Sequence, residues 1–141
     1  MEDLSKVIEM ERDSFDDPYP SWLFRELMQQ NPKGFRVAVL YEDVVGYCIT
    51  SLDRQNEVAT LNSIAVLPKW RRLGIGAKLV EDAIVCVREN PSHVTKMILQ
   101  VASDNNSAQL LYAKFGFVKS FTIKEYYGKH KDGIQMELLL S

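Results

Sequence analysis

Between residues 57 and 102 the chain reads as strand, turn, helix and strand, and no other stretch restricts the fold as much. EVATLNSIAV (57–66) is apolar and β-prone, and LPKWRRLG (67–74) interrupts it. Ile75, Leu79, Ala83 and Val87 then recur at nearly four residues, the spacing of one face of a helix running from about Gly74 to Arg88. MILQVA (97–102) is strand-like again. Two strands with an amphipathic helix between them need a sheet with that helix laid on it.

The flanking segments supply more of the same sheet. FRVAVLY (35–41) and VVGYCITSL (44–52) read as strands, with "ED" between them as a tight turn. Residues 106–115 read as a short helix, with Gly116 suited to its C-terminal cap. FVKSFTIKEYY and GIQMELLL close the chain as a hairpin. Leu4, Val7, Ile8 and Phe15 fall near helical spacing, so residues 3–14 are expected to form a first helix, broken by DDPYP. Ser21 is placed to cap a second helix through about Gln30, with Trp22, Leu23 and Leu27 inward. There are no repeats or low-complexity linkers, and 141 residues suit one mixed α/β domain.

The charge pattern narrows the partners. Net charge is −2, which does not suit a general nucleic-acid binder. Residues 2–17 hold Glu2, Asp3, Glu9, Glu11, Asp13, Asp16 and Asp17 against Lys6 and Arg12. Residues 69–78 hold Lys69, Arg71, Arg72 and Lys78 with no acid. Such a cluster suits a small anionic ligand, or else a solvated patch. No apolar run nears the roughly 20 residues of a membrane span, and MEDLSKVIEMERD is too acidic for a signal peptide, so a cytoplasmic protein without a membrane partner is expected. Cys48 and Cys86 lie in apolar contexts and read as small core residues, not as a zinc or disulfide framework.

Glycine early in a helix costs stability unless the backbone must be bare. In RRLGIGAKL (71–79) Gly74 and Gly76 follow two arginines at the mouth of the helix. A helix N-terminus offers unpaired N–H groups and partial positive charge, and arginine adds more, which together suit a pyrophosphate. The spacing is neither G-x-x-x-x-G-K-[ST] nor G-x-G-x-x-G.

SIAVLPKWRRLGIGAKLV resembles the acetyl-CoA-binding signature of the GNAT superfamily of N-acetyltransferases, [RQ]-x-x-G-x-[GA] after an I-A-V-x-P strand end, here Arg71, Gly74 and Gly76. ILQVASDNNSAQLLYAKFGF is similar to that superfamily's next strand and helix. EYY before the last hairpin strand, and FDDPYPSWLF near the start, resemble RimI-like ribosomal-protein alanine acetyltransferases and related protein N-terminal acetyltransferases. The resemblance spans nearly the whole chain and is strongest from Leu61 to Phe117. It implies a single GNAT domain over residues 1–141, with a mixed central sheet whose fourth and fifth strands splay, flanked by about four helices. It implies an acetyl-CoA-dependent N-acetyltransferase that releases CoA. The amine would be the N-terminal α-amino group of a protein or peptide, attacking directly in a ternary complex. Acetylation of a lysine or a small-molecule amine, and a non-catalytic acetyl-CoA sensor, are the alternatives.

The resemblance also implies roles. Backbone groups of Ile64, Ala65 and Val66, on a bulged strand, would hold the acetyl carbonyl and pantetheine. N–H groups of Arg71, Arg72, Leu73, Gly74, Ile75, Gly76 and Ala77 would take the pyrophosphate. Asn105 matches a residue that bonds the pantetheine arm, though Asn also suits a helix N-cap. Tyr112 matches the tyrosine that faces the CoA sulfur, though it could equally be a packed core ring. Gln100 stands where RimI-like enzymes carry a basic glutamate. Glu57 is the candidate substitute, acting through water, or else a solvated strand end. Trp22, within PYPSWL (18–23), and Tyr126 with Tyr127 would line the acceptor groove, though the tyrosines could be cross-strand packing. His93 and His130 have no evident place near a thioester, and the cysteines lie outside its region, so no acyl-enzyme is expected. The acceptor's identity and the oligomeric state stay open.

Overall fold

Alternating apolar residues and tight turns build one half of a six-stranded sheet, and the strand–helix–strand passage builds the junction to the other half. The computed structural model describes residues 2–15, 18–90 and 93–140; Asp16 and Asp17 of the expected break lie outside them. The elements are α1 (Glu2–Ser14), α2 (Ser21–Gln30), β1 (Phe35–Leu40), β2 (Asp43–Asp53), β3 (Val58–Val66), α3 (Ile75–Glu89), β4 (Lys96–Ala102), α4 (Asn106–Lys114), β5 (Val118–Ile123) and β6 (Gly133–Leu139). Their order in the sheet is β1-β2-β3-β4-β6-β5. Only the β3/β4 pair is parallel, as a strand–helix–strand passage requires.

That pair is brief. Val58–Thr60 pair with Lys96–Ile98, and beyond them the strands part. β4 keeps its pairing with β6 from Lys96 to Ala102, so it leaves β3 in order to stay with β6. The splayed strands are therefore the third and fourth of the described residues, not the fourth and fifth, because the chain enters the sheet after two helices.

A bulge reshapes β3 where it leaves β4. Thr50 pairs with Leu61 but Ile49 pairs with Ser63, so Asn62 is extra. One inserted residue reverses which face each side chain takes. Ala59 and Leu61 pack with α3 and α4, whereas Ala65 packs with α1 and α2, and Ser63 meets Glu11 of α1. The two sheet faces hold the two cores. One is built on Leu79, Val80, Ala83, Met97, Leu99, Tyr112 and Phe117, the other on Val7, Met10, Phe24, Tyr47 and Ile49.

Several local expectations shift. The first turn uses Tyr41 and Glu42, at φ 50° and 69°, instead of Glu42 and Asp43. Pro20, not Ser21, occupies the N-cap position of α2, without a side-chain bond, and Ser21 is already helical. Phe24 is fully buried while Trp22 is 62% exposed. At about 100° per residue the two lie on opposite sides of the helix, and Leu27 and Met28 share the side of Phe24. Gly116 does close α4: it has φ 100°, its N–H reaches the Ala113 carbonyl, and the Phe117 N–H reaches that of Tyr112, a Schellman motif.

Candidate active site

The V between β3 and β4 opens toward the carboxyl ends of both strands, where α3 and α4 begin. In β3 the Leu67 N–H turns to the Val45 carbonyl of β2. Alternation then aims the backbone groups of Ile64 and Val66 at the open edge and those of Ala65 at β2. Ala65 is thus corrected from the expected trio: its backbone faces β2 and its side chain lies in the α1/α2 core.

The glycine loop completes that edge. Arg71 reaches back, its Nε donating to the Val66 carbonyl at 3.0 Å, which fastens the loop to the strand end. Arg72 and Gly74 are both left-handed, at φ 66° and 82°. Gly74 is the N-cap of α3, with no side-chain cap and no acid in the first turn. The first helical bond runs from the Lys78 N–H to the Gly74 carbonyl, so the N–H groups of Ile75, Gly76 and Ala77 point out of the helix end without carbonyl partners. A Cβ at Gly74 would meet nothing within 4 Å, and one at Gly76 only ordinary contacts to Leu111 and Val66. The protein's own packing does not demand bareness there. Unpaired donors, local positive charge and open approach fit a diphosphate.

The second helix mouth is tied down by Gln109, whose amide donates to the carbonyls of Ala102 and Ser103, both at 3.0 Å. Asn105 caps α4 through Oδ1, which accepts from the Ala108 N–H at 3.2 Å, so the helix-cap reading holds. Tyr112, on α4, is buried against Phe117 with ring centroids 6.0 Å apart. Burial pushes its phenol up to about 12, and no hydrogen-bond partner for its hydroxyl is found among the described residues.

On the other side of the sheet three segments meet. β5 ends at Ile123, so Tyr126 and Tyr127 sit in the β5–β6 loop, not in a strand. Glu125 and Gly128 take positive φ there, and Asp132 accepts from the Glu125 N–H. The two rings stand perpendicular at 4.9 Å, about half exposed. Burial first, then Tyr126, Tyr19 and Tyr112, raise the Tyr127 phenol. Trp22, exposed on α2, follows Tyr19 within the same segment.

Gln100 lies midway along β4, its amide donating to Gln135 Oε1 at 3.1 Å; Gln135 in turn donates to Glu137 Oε2 at 2.9 Å. The Gln135 amide first, then Ser120 and Lys96, hold the Glu137 carboxyl below its ordinary range, which makes it a poor base. Glu57 stands beyond the paired end of β3, exposed and at φ 59°, its carbonyl taken by Thr95. Five residues of extended chain, about 16 Å, separate it from the bulge. The structure therefore does not bring Glu57 to Tyr112. Cys48 is fully buried, its thiol pushed up to about 12 by burial, and Cys86 is raised too; neither suits a nucleophile. His93 and His130 are exposed, the latter with its N–H on Glu125.

The profile of the acetyltransferase (GNAT) family matches residues 4–117. The chain belongs to this family. This GNAT acetyltransferase is 30% identical to an N-alpha-acetyltransferase of Saccharolobus solfataricus, over 96% of the chain and 87% of the relative. Ard1 from Thermoplasma volcanium superposes with a TM-score of 0.89 at 26% identity, covering 99% of the chain and 93% of Ard1. A chain of the NatC complex, solved with Gag peptide and CoA, superposes with a TM-score of 0.91 over 98% of this chain and 91% of its own length; at 23% identity the likeness is one of fold. Among the described residues no helix is long and apolar enough to cross a membrane.

The family motif pointed to the glycine loop, Tyr112 and Tyr126–Tyr127. It pointed to the 18–23 segment that holds Tyr19, but not to Glu11, Ser63 or Gln109. Glu11 had one available signal: Leu4, Val7 and Glu11 keep helical spacing, so an acid lies on the apolar stripe of α1.

Proposed function

We propose that the protein transfers acetyl from acetyl-CoA to the N-terminal α-amino group of a protein or peptide, by direct attack of the amine within a ternary complex. The observation that carries this reading is the V between β3 and β4. It parts two strands of the sheet, with the diphosphate-suited loop at its open end; in this reading Tyr19, Tyr126 and Tyr127 line the acceptor's approach from the other face. A donor and an acceptor can thus approach one gap from opposite faces without sharing a path. The name of the S. solfataricus relative accords with it.

In this reading the N–H groups from Arg72 to Ala77 hold the diphosphate, the Arg71 N–H being already given to the Pro68 carbonyl, and the outward backbone groups of Ile64 and Val66 line the thioester arm. The bound donor supplies an acetyl thioester. The amine nitrogen bonds to the acetyl carbon, the carbon–sulfur bond breaks, and Tyr112 donates its proton to the departing sulfur. A phenol is protonated at neutral pH in any case, and burial raises this one further, to about 12. The amine's own proton leaves to solvent, since Gln100 cannot accept it, and Tyr112 recovers a proton from solvent before the next turnover.

Incubation with acetyl-CoA and a pool of free N-terminal peptides, followed by mass spectrometry, tests the reading. Acetyl at peptide N-termini is expected. Modification confined to lysine side chains overturns the acceptor assignment. Acetyl-CoA binding without turnover of any amine leaves a sensor in place of the enzyme.

A further inference from the structure

The carboxylate of Glu11 is 3% exposed, and no cation pairs with it among the described residues. A buried carboxylate persists only where donors replace water. Three do so from three remote segments. The Tyr19 N–H donates to Oε2 at 3.0 Å, Ser63 Oγ donates to Oε1 at 2.6 Å, and the Tyr47 hydroxyl donates to the same Oε1. Tyr19 lies between Pro18 and Pro20, so its N–H is the only one that the 18–20 segment owns. Ser63 directly follows the bulge residue Asn62, and the bulge is what turns Ser63 toward α1. The Tyr19 hydroxyl donates to the Asn62 carbonyl at 3.3 Å. Tyr19 is thus held at both ends, by Glu11 through its backbone and by the bulge through its phenol. Its ring packs edge-on against Phe24, 6.2 Å between centroids, and Tyr126 lies near enough to raise its phenol further after burial.

We propose that Glu11 is a positioning residue for the acceptor: its buried carboxylate fastens the Pro18–Pro20 segment to the bulge of β3, and so sets the width of the groove between Tyr19 and the Tyr126–Tyr127 pair. Because the acceptor enters that groove, the proposal rests on the N-terminal acetyltransferase reading. Glu11 touches neither the diphosphate loop nor Tyr112. Its loss should therefore act chiefly on the acceptor side, through the Pro18–Pro20 segment.

Glu11→Gln keeps the size of the side chain but turns an NH2 toward donors that need an acceptor. Tyr19→Phe removes only the phenol's bond to the bulge. Steady-state kinetics on both variants should show the peptide KM raised about tenfold or more for Glu11→Gln, and less for Tyr19→Phe, with the acetyl-CoA KM unchanged. The double variant should fall short of the product of the two, because both act on one segment. Hydrogen exchange at the Tyr19 amide supplies a readout independent of turnover: slow in the parent protein, fast in Glu11→Gln. Parallel increases in both KM values, or a lower thermal midpoint with unchanged kinetics, would make Glu11 a stability residue and overturn the proposal. If Glu11→Gln does not fold, Tyr19→Phe and the parent exchange rate decide. A parent protein that acetylates no N-terminal peptide overturns the functional reading instead, and fast Tyr19 exchange in that parent overturns the clamp separately.

Discussion

Tyr112 packs as a core residue and is proposed to act in the chemistry as well. Its ring fills the α3/α4 core against Phe117, and the same burial raises its phenol, already protonated at neutral pH, to about 12. Tyr112→Phe preserves the ring and should lower kcat by ~10²-fold or more, while the acetyl-CoA Kd measured by calorimetry stays put. An unchanged kcat where chemistry limits the rate would reduce Tyr112 to a core side chain. Cys48 makes a separate point about burial. Its thiol rises from 9.0 to about 12 on folding, so the folded state holds that proton more tightly. The associated stability is complete below pH 9 and is lost as pH climbs toward 12. Tyr112 adds to this loss only above its unfolded value of 10.0. Urea midpoints of the parent should therefore drop from about pH 9 upward, and Cys48→Ala should flatten the part of that drop below about pH 10.

At the level of elements, the entrances to the helices and the last loop differ in what their glycines do. Gly74 has open space around it, so its constraint is the left-handed φ, unfavourable for a β-branched residue by about 1–2 kcal/mol. Gly74→Val should fold with a modest loss of stability, and calorimetry should show a large loss of CoA affinity. Gly76→Ala, which meets only ordinary contacts, should keep most of that affinity. Unchanged binding in Gly74→Val would make the loop a turn and nothing more. Gly133 is crowded instead: an added Cβ would sit 2.9 Å from the Cβ of Tyr126. The start of β6 therefore seats Tyr126, one wall of the proposed acceptor groove. Gly133→Ala should displace Tyr126 and raise the peptide KM with little change in the acetyl-CoA KM; equal effects on both would count against the groove.

Across the whole molecule, the split sheet leaves a site with little basic equipment. Gln100 bonds Gln135, Glu137 is held ionised by its neighbours, and Glu57 lies at the closed end. The acceptor then has to arrive neutral. At pH 7 about a tenth of α-amines are neutral but under ~0.1% of lysines, a difference near 3.3 kcal/mol. A peptide with a free N-terminus should outpace the same peptide blocked there and carrying lysine, with a rate that rises along the amine's own ionisation. Gln100→Glu should extend activity to lower pH. Equal rates for the two peptides at pH 7 would refute the base-poor site, and loss of activity in Glu57→Gln with binding intact would restore a water-relayed base.

Much of this was legible locally. The order of elements, the αα start, the strand–helix–strand passage and the Gly116 cap all follow from periodicity and backbone chemistry acting within a few residues. The glycine loop could be read too, because bare backbone beside arginine at a helix mouth is a local arrangement. Other features were decided only when remote segments met. The extra residue at Asn62 exists relative to β2, so no pattern within β3 reveals that Ser63 and Ala65 have changed faces. The splay depends on β4 keeping its register with β6, some thirty-five residues later. The EYY run reads as strand by propensity, yet Asp132 and the positive φ angles of Glu125, Gly128 and His130 fold it into a loop. Glu11 becomes a junction only because donors at 19, 47 and 63 converge on it. Local sequence sets which face of an element is apolar; strand register and the satisfaction of a buried charge are properties of the partners, and those are chosen by the tertiary fold.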